Sequence, residues 1–294
     1  MSLAGFLRNA LLFRTLPKRD SVILFGRGEL FIDTGDNRGR SILQNAGMTQ
    51  PFTALLWRNL VSRLDPEIVL DIGANYGEIA LSSTYSAGTQ IHLFEPNPYV
   101  RTYLEKSVST RRDSQNIRLH PELVGSQVGQ QTFVVDRKWS GTSSAVGEIS
   151  GSDGIKGDGA EHFEEITVAS TTIDASLANA GVPAKRRLLF KIDVEGYEGH
   201  VLAGMKGTLR NAAAYAGIVE FDRDYLRRAG TDPEAMLREL SDLGVVSGVF
   251  GNQIFNDVDG LPGHFDLLVA SSASVLADIG DAGMMRHLFR RKGS

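Results

Sequence analysis

The stretch Ile68 to Gly77, IVLDIGANYG, constrains this chain more than any other. A short apolar run, Ile68, Val69 and Leu70, ends at the acid Asp71. A turn with Gly73 and Gly77 follows, and Glu78 to Leu81 then reads as the first turn of a helix. A buried strand, a glycine turn and a helix N-terminus together bring backbone N–H groups close to a ligand. Without a Cβ, Gly73 and Gly77 leave the turn free to take unusual dihedrals and a cofactor free to approach. The spacing is not the G-x-G-x-x-G of dinucleotide binders, and no Gly-Lys-Ser/Thr follows to make a phosphate loop.

Ile91 to Asn97, IHLFEPN, is a second short strand, and it ends in Glu95, 24 positions after Asp71. In a βαβ unit an acid at the end of the second strand lies beside the first glycine turn, where it can accept hydrogen bonds from both hydroxyls of a ribose. Asp71 and the glycines would then hold an amino-acid moiety while Glu95 holds the ribose, a combination that suits S-adenosylmethionine. The competing reading is any α/β fold with a loop glycine and a strand-end acid.

A third block runs LLFKIDVEG from Leu188 to Gly196 and extends through Tyr197 to Glu198. Taken together, DIGANYGE, FEPNP and KIDVEGYE resemble, in content and order, the FkbM family of methyltransferases. Gly141 to Ser144 (GTSS), Thr171 to Asp174 (TTID) and Val201 to Met205 (VLAGM) are also similar to that family, so the resemblance covers about residues 66–222. It implies an α/β, Rossmann-like class I methyltransferase fold. Helices cover both faces of a seven-stranded, mostly parallel sheet whose last strand is antiparallel. It also implies S-adenosylmethionine as cofactor and O-methylation, commonly of a sugar hydroxyl on a glycan or glycolipid, or of a secondary metabolite. The expected cofactor set is Asp71, Gly73, Ala74, Asn75 and Gly77, then Glu95, Pro96 and Asn97. Leu123 joins them at the end of the third strand region, Ile117 to Val124, where adenine rests in this topology.

Methyl transfer to an alcohol must dispose of one proton, and carboxylates near pKa 4 are weak bases for it. Two solutions fit the acids at the strand ends. Asp193 or Glu195 accepts the proton late in the transfer, or Asp193 and Glu220 hold a hard divalent ion such as magnesium that acidifies the hydroxyl. The structural alternative has Asp193 capping its loop and Glu195 capping the next helix. No motif places His92, His120, His162, His200 or His264. Lys191 shares a strand face with Asp193, which suggests a salt bridge.

Three regions surround these blocks. Residues 1–65 read as an N-terminal extension that caps the core or mediates oligomer contacts. Residues 66–275 form the methyltransferase domain, with a glycine- and serine-rich loop at 141–160, and 276–294 is a basic tail. Within the extension, Leu3 to Leu16 forms a basic amphipathic helix; packing on its own domain or on a second copy is preferred to a peripheral membrane contact. Ser21 to Asp33 reads as a hairpin and Pro51 to Leu64 as a helix. Asp33, Asp36 and Arg38 to Arg40 read as exposed charges within reach of a substrate. Of the whole chain 42% is hydrophobic and 22% charged, ample for one sizeable core. A net charge of −4 recruits no nucleic acid, and the absence of cysteine excludes disulfides and thiol nucleophiles. No apolar run approaches the roughly 18 residues of a membrane helix, and a cytoplasmic location is compatible. The rival from another class is a non-catalytic Rossmann-like module that binds a nucleoside or serves in an assembly. A dehydrogenase is disfavoured by the glycine spacing.

Overall fold

The computed structural model of the 294-residue chain describes residues 20–24, 28–146 and 162–277. The helix expected at Leu3 to Leu16, the tail from Arg286 and most of the 141–160 loop lie outside these residues. Ser21–Ile23 (β1) and Glu29–Phe31 (β2) pair antiparallel, as the hairpin reading expects. Asn37–Gln44 (α1) and Pro51–Leu64 (α2) follow. Next come Ile68–Ile72 (β3), Gln90–Phe94 (β4), Pro98–Ser109 (α3), Ile117–His120 (β5), Leu123–Val124 (β6) and Gly129–Asp136 (β7). Beyond the glycine-rich loop are Phe163–Thr171 (β8), Ile173–Asn179 (α4), Arg187–Ile192 (β9), Glu198–Ala203 (α5), Lys206–Asn211 (α6) and Ala214–Asp222 (β10). Arg223–Arg228 (α7), Pro233–Leu243 (α8), Val245–Phe250 (β11), Gln253–Phe255 (β12), His264–Ala270 (β13) and Ala273–Leu276 (α9) complete the described chain.

The main sheet runs β12-β11-β13-β10-β9-β3-β4-β5. From β5 to β10 neighbouring strands are parallel, while β13 lies antiparallel between β10 and β11. That is the expected seven-stranded arrangement with its antiparallel last strand, corrected to eight by the short β12. The extra strand turns back from β11 over Gly251 and Asn252, with Gly251 at φ +60°. A glycine–asparagine pair between two strand-like runs is the sequence signal for such a hairpin. Leu123 and Val124 leave the main sheet for a second one, ordered β6-β8-β7, whose edge is the strand expected around Phe133 to Val135.

Strand alternation explains why the central strands are apolar throughout. Ile68, Leu70 and Ile72 enter one core with Phe190, Val201, Val219 and Met236. Val69 enters the other with Trp57, Leu60, Leu64, Leu104 and Leu189. Both faces are covered, so β3 is buried along its whole length. Because α2 packs over β9 and β10, the expected division at residue 65 is no break in packing.

The helix expected after Gly77 is a correction: only one 3₁₀ turn forms, at Ala80–Ser82. Arg111, itself buried, donates to the carbonyls of Leu81 and Ser83, the acceptors a continuing helix would need. The Ser82 hydroxyl donates back to Ile79 O and competes for the same ladder. Among the described residues no helix is long and apolar enough to cross a membrane.

Candidate active site

The chain runs from β3 through β4 to β5 in one direction along the sheet, while β9 lies on the other side of β3. That reversal opens a crevice at the carboxyl ends of β3 and β9, the place where open α/β sheets bind ligands. Gly73 sits in it at φ +77°, and a Cβ there would lie 1.9 Å from the Asp193 carbonyl oxygen. Only glycine lets the two loops touch. Asn75 is also left-handed, at φ +50°, which aims its N–H at Glu95. That N–H donates to Glu95 Oε2 at 2.7 Å, and the Asn97 N–H donates to Oε1 at 2.8 Å. Glu95 is only 5% exposed. Burial outweighs these hydrogen bonds and pushes its carboxyl up to about 7.

A cleft of about 870 Å³, open mouth included, joins Gly73, Asn75, Glu95, Pro96 and Leu123 to Asp193, Glu195 and Glu220. Asp71 and Ala74 line a smaller adjoining pocket with Lys191, and Asp71 Oδ1 is buried with no hydrogen-bond partner among the described residues. Two expected cofactor residues stand behind the wall instead. At Gly77 the turn packs between Leu81 and Leu104. Asn97 is buried and caps α3, its Oδ1 accepting the Tyr99 N–H.

The acids at the ends of β9 and β10 differ in protonation. Lys191 Nζ lies 2.7 Å from Asp193 Oδ2, the pairing the strand face suggested. Burial alone would raise the Asp193 carboxyl, but the Lys191 charge and hydrogen bond hold it below the usual range. Glu195, at φ +55°, is pushed up to about 9 by burial and by the neighbouring Asp193 and Glu198 charges. Glu220 is raised for the same kind of reason, burial first and then the charges of Asp193 and Glu195. Oxygens of Asp193, Glu195 and Glu220 all lie within 4.8 Å of one another. The helix cap expected at Glu195 does not form: α5 has no side-chain cap, and Glu198 Oε1 instead accepts the N–H groups of Val194 and Gly196 in the loop before it. Of the histidines, His92 and His120 face each other at 3.0 Å and His264 contacts Asp222 at 3.1 Å. None of the five lines the cleft.

Arg38, Gln50 and Trp139, which no motif marks, also line the cleft, as does Tyr197 of the KIDVEGYE block. The first two arrive through Glu78, the last residue of the DIGANYGE block. Its carboxylate accepts from Arg38 Nη2 at 3.1 Å, the Gln50 N–H at 3.1 Å, and the Thr49 N–H and hydroxyl. Asp36, expected among exposed charges, is a further correction: it is 5% exposed and bonds to Ser140 and Tyr76. At the start of the glycine-rich loop the chain is pinned. Ser144 pairs with Val134 through both backbone groups and donates its hydroxyl to Glu195 O.

The family model described as the methyltransferase FkbM domain matches residues 71–246. Among solved structures the chain is similar to the methyltransferase FkbM of Methylobacillus flagellatus KT, at 14% identity and TM-score 0.40. The match covers 70% of this chain and 44% of that one, less than half its length. It is also similar to an O-methyltransferase from Bacillus cereus in complex with S-adenosylhomocysteine (10% identity, 76% and 81% covered, TM-score 0.41). A third is a precorrin-6y C5,15-methyltransferase from Geobacter metallireducens GS-15 (14% identity, 76% and 89% covered, TM-score 0.38). None of the curated proteins matches the sequence.

Proposed function

The chain belongs to the family of FkbM methyltransferases, and from that premise we propose that its cleft binds S-adenosylmethionine and directs the methyl group to a hydroxyl of a sugar, in a glycan, glycolipid or secondary metabolite. The observation that carries this is the meeting, in one cleft, of the Glu95 carboxylate with the strand-end acids Asp193 and Glu195. When bound, the cofactor supplies a methyl group activated by a sulfonium. The residues fit it. Glu95 keeps acceptor capacity on both oxygens for the ribose hydroxyls after its two backbone bonds. The orphaned Asp71 Oδ1 suits an ammonium donor, and Leu123 with Phe133 offers apolar surface for a flat base.

On the acceptor side, a hydroxyl that accepts the methyl group would have to give up its proton, and the strand-end acids are the groups at hand to receive it. Asp193, ionised beside Lys191, takes the hydroxyl proton as positive charge develops on the acceptor oxygen. Glu195, pushed up to about 9, and Glu220, raised in the same direction by burial and the neighbouring acids, favour the protonated form and serve as hydrogen-bonding groups. A divalent ion such as magnesium fits the same three acids, since all their donors are hard oxygens. It would be held by the three carboxylates in their ionised form.

Incubation with methyl-labelled S-adenosylmethionine and a panel of nucleotide sugars and glycans tests this reading. Label is expected on an acceptor hydroxyl. Loss of transfer in EDTA, restored by magnesium, would assign the acids to a metal; unchanged transfer would assign the proton to Asp193 alone. Cofactor binding without transfer to any hydroxyl acceptor would favour the non-catalytic nucleoside-binding module.

A further inference from the structure

Asp36 lies outside the matched family domain, in the segment between β2 and α1, yet it bonds directly to the cleft wall at Ser140 and to the glycine turn at Tyr76. Its Oδ2 accepts from the Ser140 hydroxyl at 2.6 Å and from the Tyr76 hydroxyl at 2.8 Å. Its Oδ1 accepts from the Ser140 N–H at 3.0 Å. Both oxygens also cap α1, taking the N–H groups of Arg38 and Gly39. The network continues inward, because Asn75 Nδ2 donates to Ser140 Oγ at 3.3 Å while the Asn75 N–H holds Glu95. Three parts of the chain, separated by up to 104 positions, therefore meet on one carboxylate. They are the N-terminal segment, the glycine turn with its Tyr76, and the Trp139–Ser143 wall.

We propose that Asp36 is a positioning residue for cofactor capture, fastening the wall that carries Trp139, Ser140 and Ser143 to the turn that aims Asn75 at Glu95. The proposal rests on the reading of this cleft as the S-adenosylmethionine site. Without the clamp, Ser140 loses the acceptor for both its N–H and its hydroxyl. Asn75 then loses a fixed partner, and the ribose acceptor loses its orientation. Buried polar groups left unpaired carry the full cost of their desolvation, so the wall would shift until water reaches them.

The bland alternative is that Asp36 only caps α1. Asp36→Ser separates the two roles, because serine is a good helix cap but is too short to reach Ser140 and Tyr76 together. Two readouts serve: S-adenosylhomocysteine affinity by calorimetry, and acrylamide quenching of tryptophan fluorescence. The chain has two tryptophans, of which Trp57 is fully buried and Trp139 is 38% exposed, so quenching reports Trp139. Asp36→Ser is expected to weaken binding about tenfold or more and to raise quenching while the melting temperature stays near wild type. Ser140→Ala is expected to move both in the same direction, and the double variant to be no worse than Asp36→Ser. Wild-type affinity and quenching in both single variants would overturn the proposal and leave a helix cap. If the wild-type chain binds no S-adenosylhomocysteine, the cofactor reading fails, while the quenching comparison still decides whether Asp36 holds the wall. Should Asp36→Ser melt early, Ser140→Ala and Tyr76→Phe carry the same comparison.

Discussion

Asp193→Asn is expected to lower methyl transfer by about 10²–10⁴-fold, the span that general-base groups usually contribute, while S-adenosylhomocysteine affinity changes by less than about threefold. Asp193 is the one acid of its cluster that the surroundings keep ionised. Lys191 lies at 2.7 Å and outweighs burial, whereas Glu195 is pushed up to about 9 and favours its neutral form at neutral pH. Asparagine keeps the size and one acceptor oxygen but cannot take a proton. The risk is structural, because Lys191 is 7% exposed and loses its nearest counter-charge. Removing one partner of a buried pair costs about 3–5 kcal/mol. A melting curve separates that effect from the chemistry. A Lys191→Met, Asp193→Asn double variant removes both charges, so a folded but inactive protein remains obtainable. Full activity in either variant would make Asp193 structural.

Glu95→Ala is expected to weaken S-adenosylhomocysteine binding at least tenfold, about 1.4 kcal/mol, and to free the N–H groups of Asn75 and Asn97 that now end on it. Its pH dependence has a definite sign. In the free protein the Glu95 carboxyl sits at about 7, and hydroxyls donating to it favour the ionised form. Binding at neutral pH therefore releases a proton. Affinity should rise as pH increases through 7 and level off above it. Below that it should fall towards about tenfold per pH unit. Glu95→Gln should flatten the profile. An unchanged affinity in Glu95→Ala would remove the residue from the site.

How much of this was legible in the sequence follows from how local each determinant is. The β3 turn, the acid closing β4 and the acids after β9 were legible because strand, glycine and acid lie within a few residues of one another. A parallel strand buried on both faces announces itself as an unbroken apolar run. Arg38, Gln50 and Trp139 had no such signature, since each reaches the cleft by tertiary folding alone. Asp36 and Ser140 are 104 positions apart, and no periodicity encodes their pairing. Glu78 was visible as a motif residue, but its partners at Thr49 and Gln50 were not. The missing helix after Gly77 has the same origin, because Arg111, 30 positions from Leu81, takes the carbonyl it would have used. Gly77 and Asn97 belong to the expected blocks but do not line the cleft. In both, the residue shapes the turn that presents its neighbours.

Titration calorimetry of the purified chain with S-adenosylhomocysteine, with NAD as the control ligand, is the most direct test of the cleft's assignment. Micromolar binding of S-adenosylhomocysteine, about −8 kcal/mol, with no heat from NAD, is the predicted result. Binding of NAD instead, or of neither ligand, would contradict it.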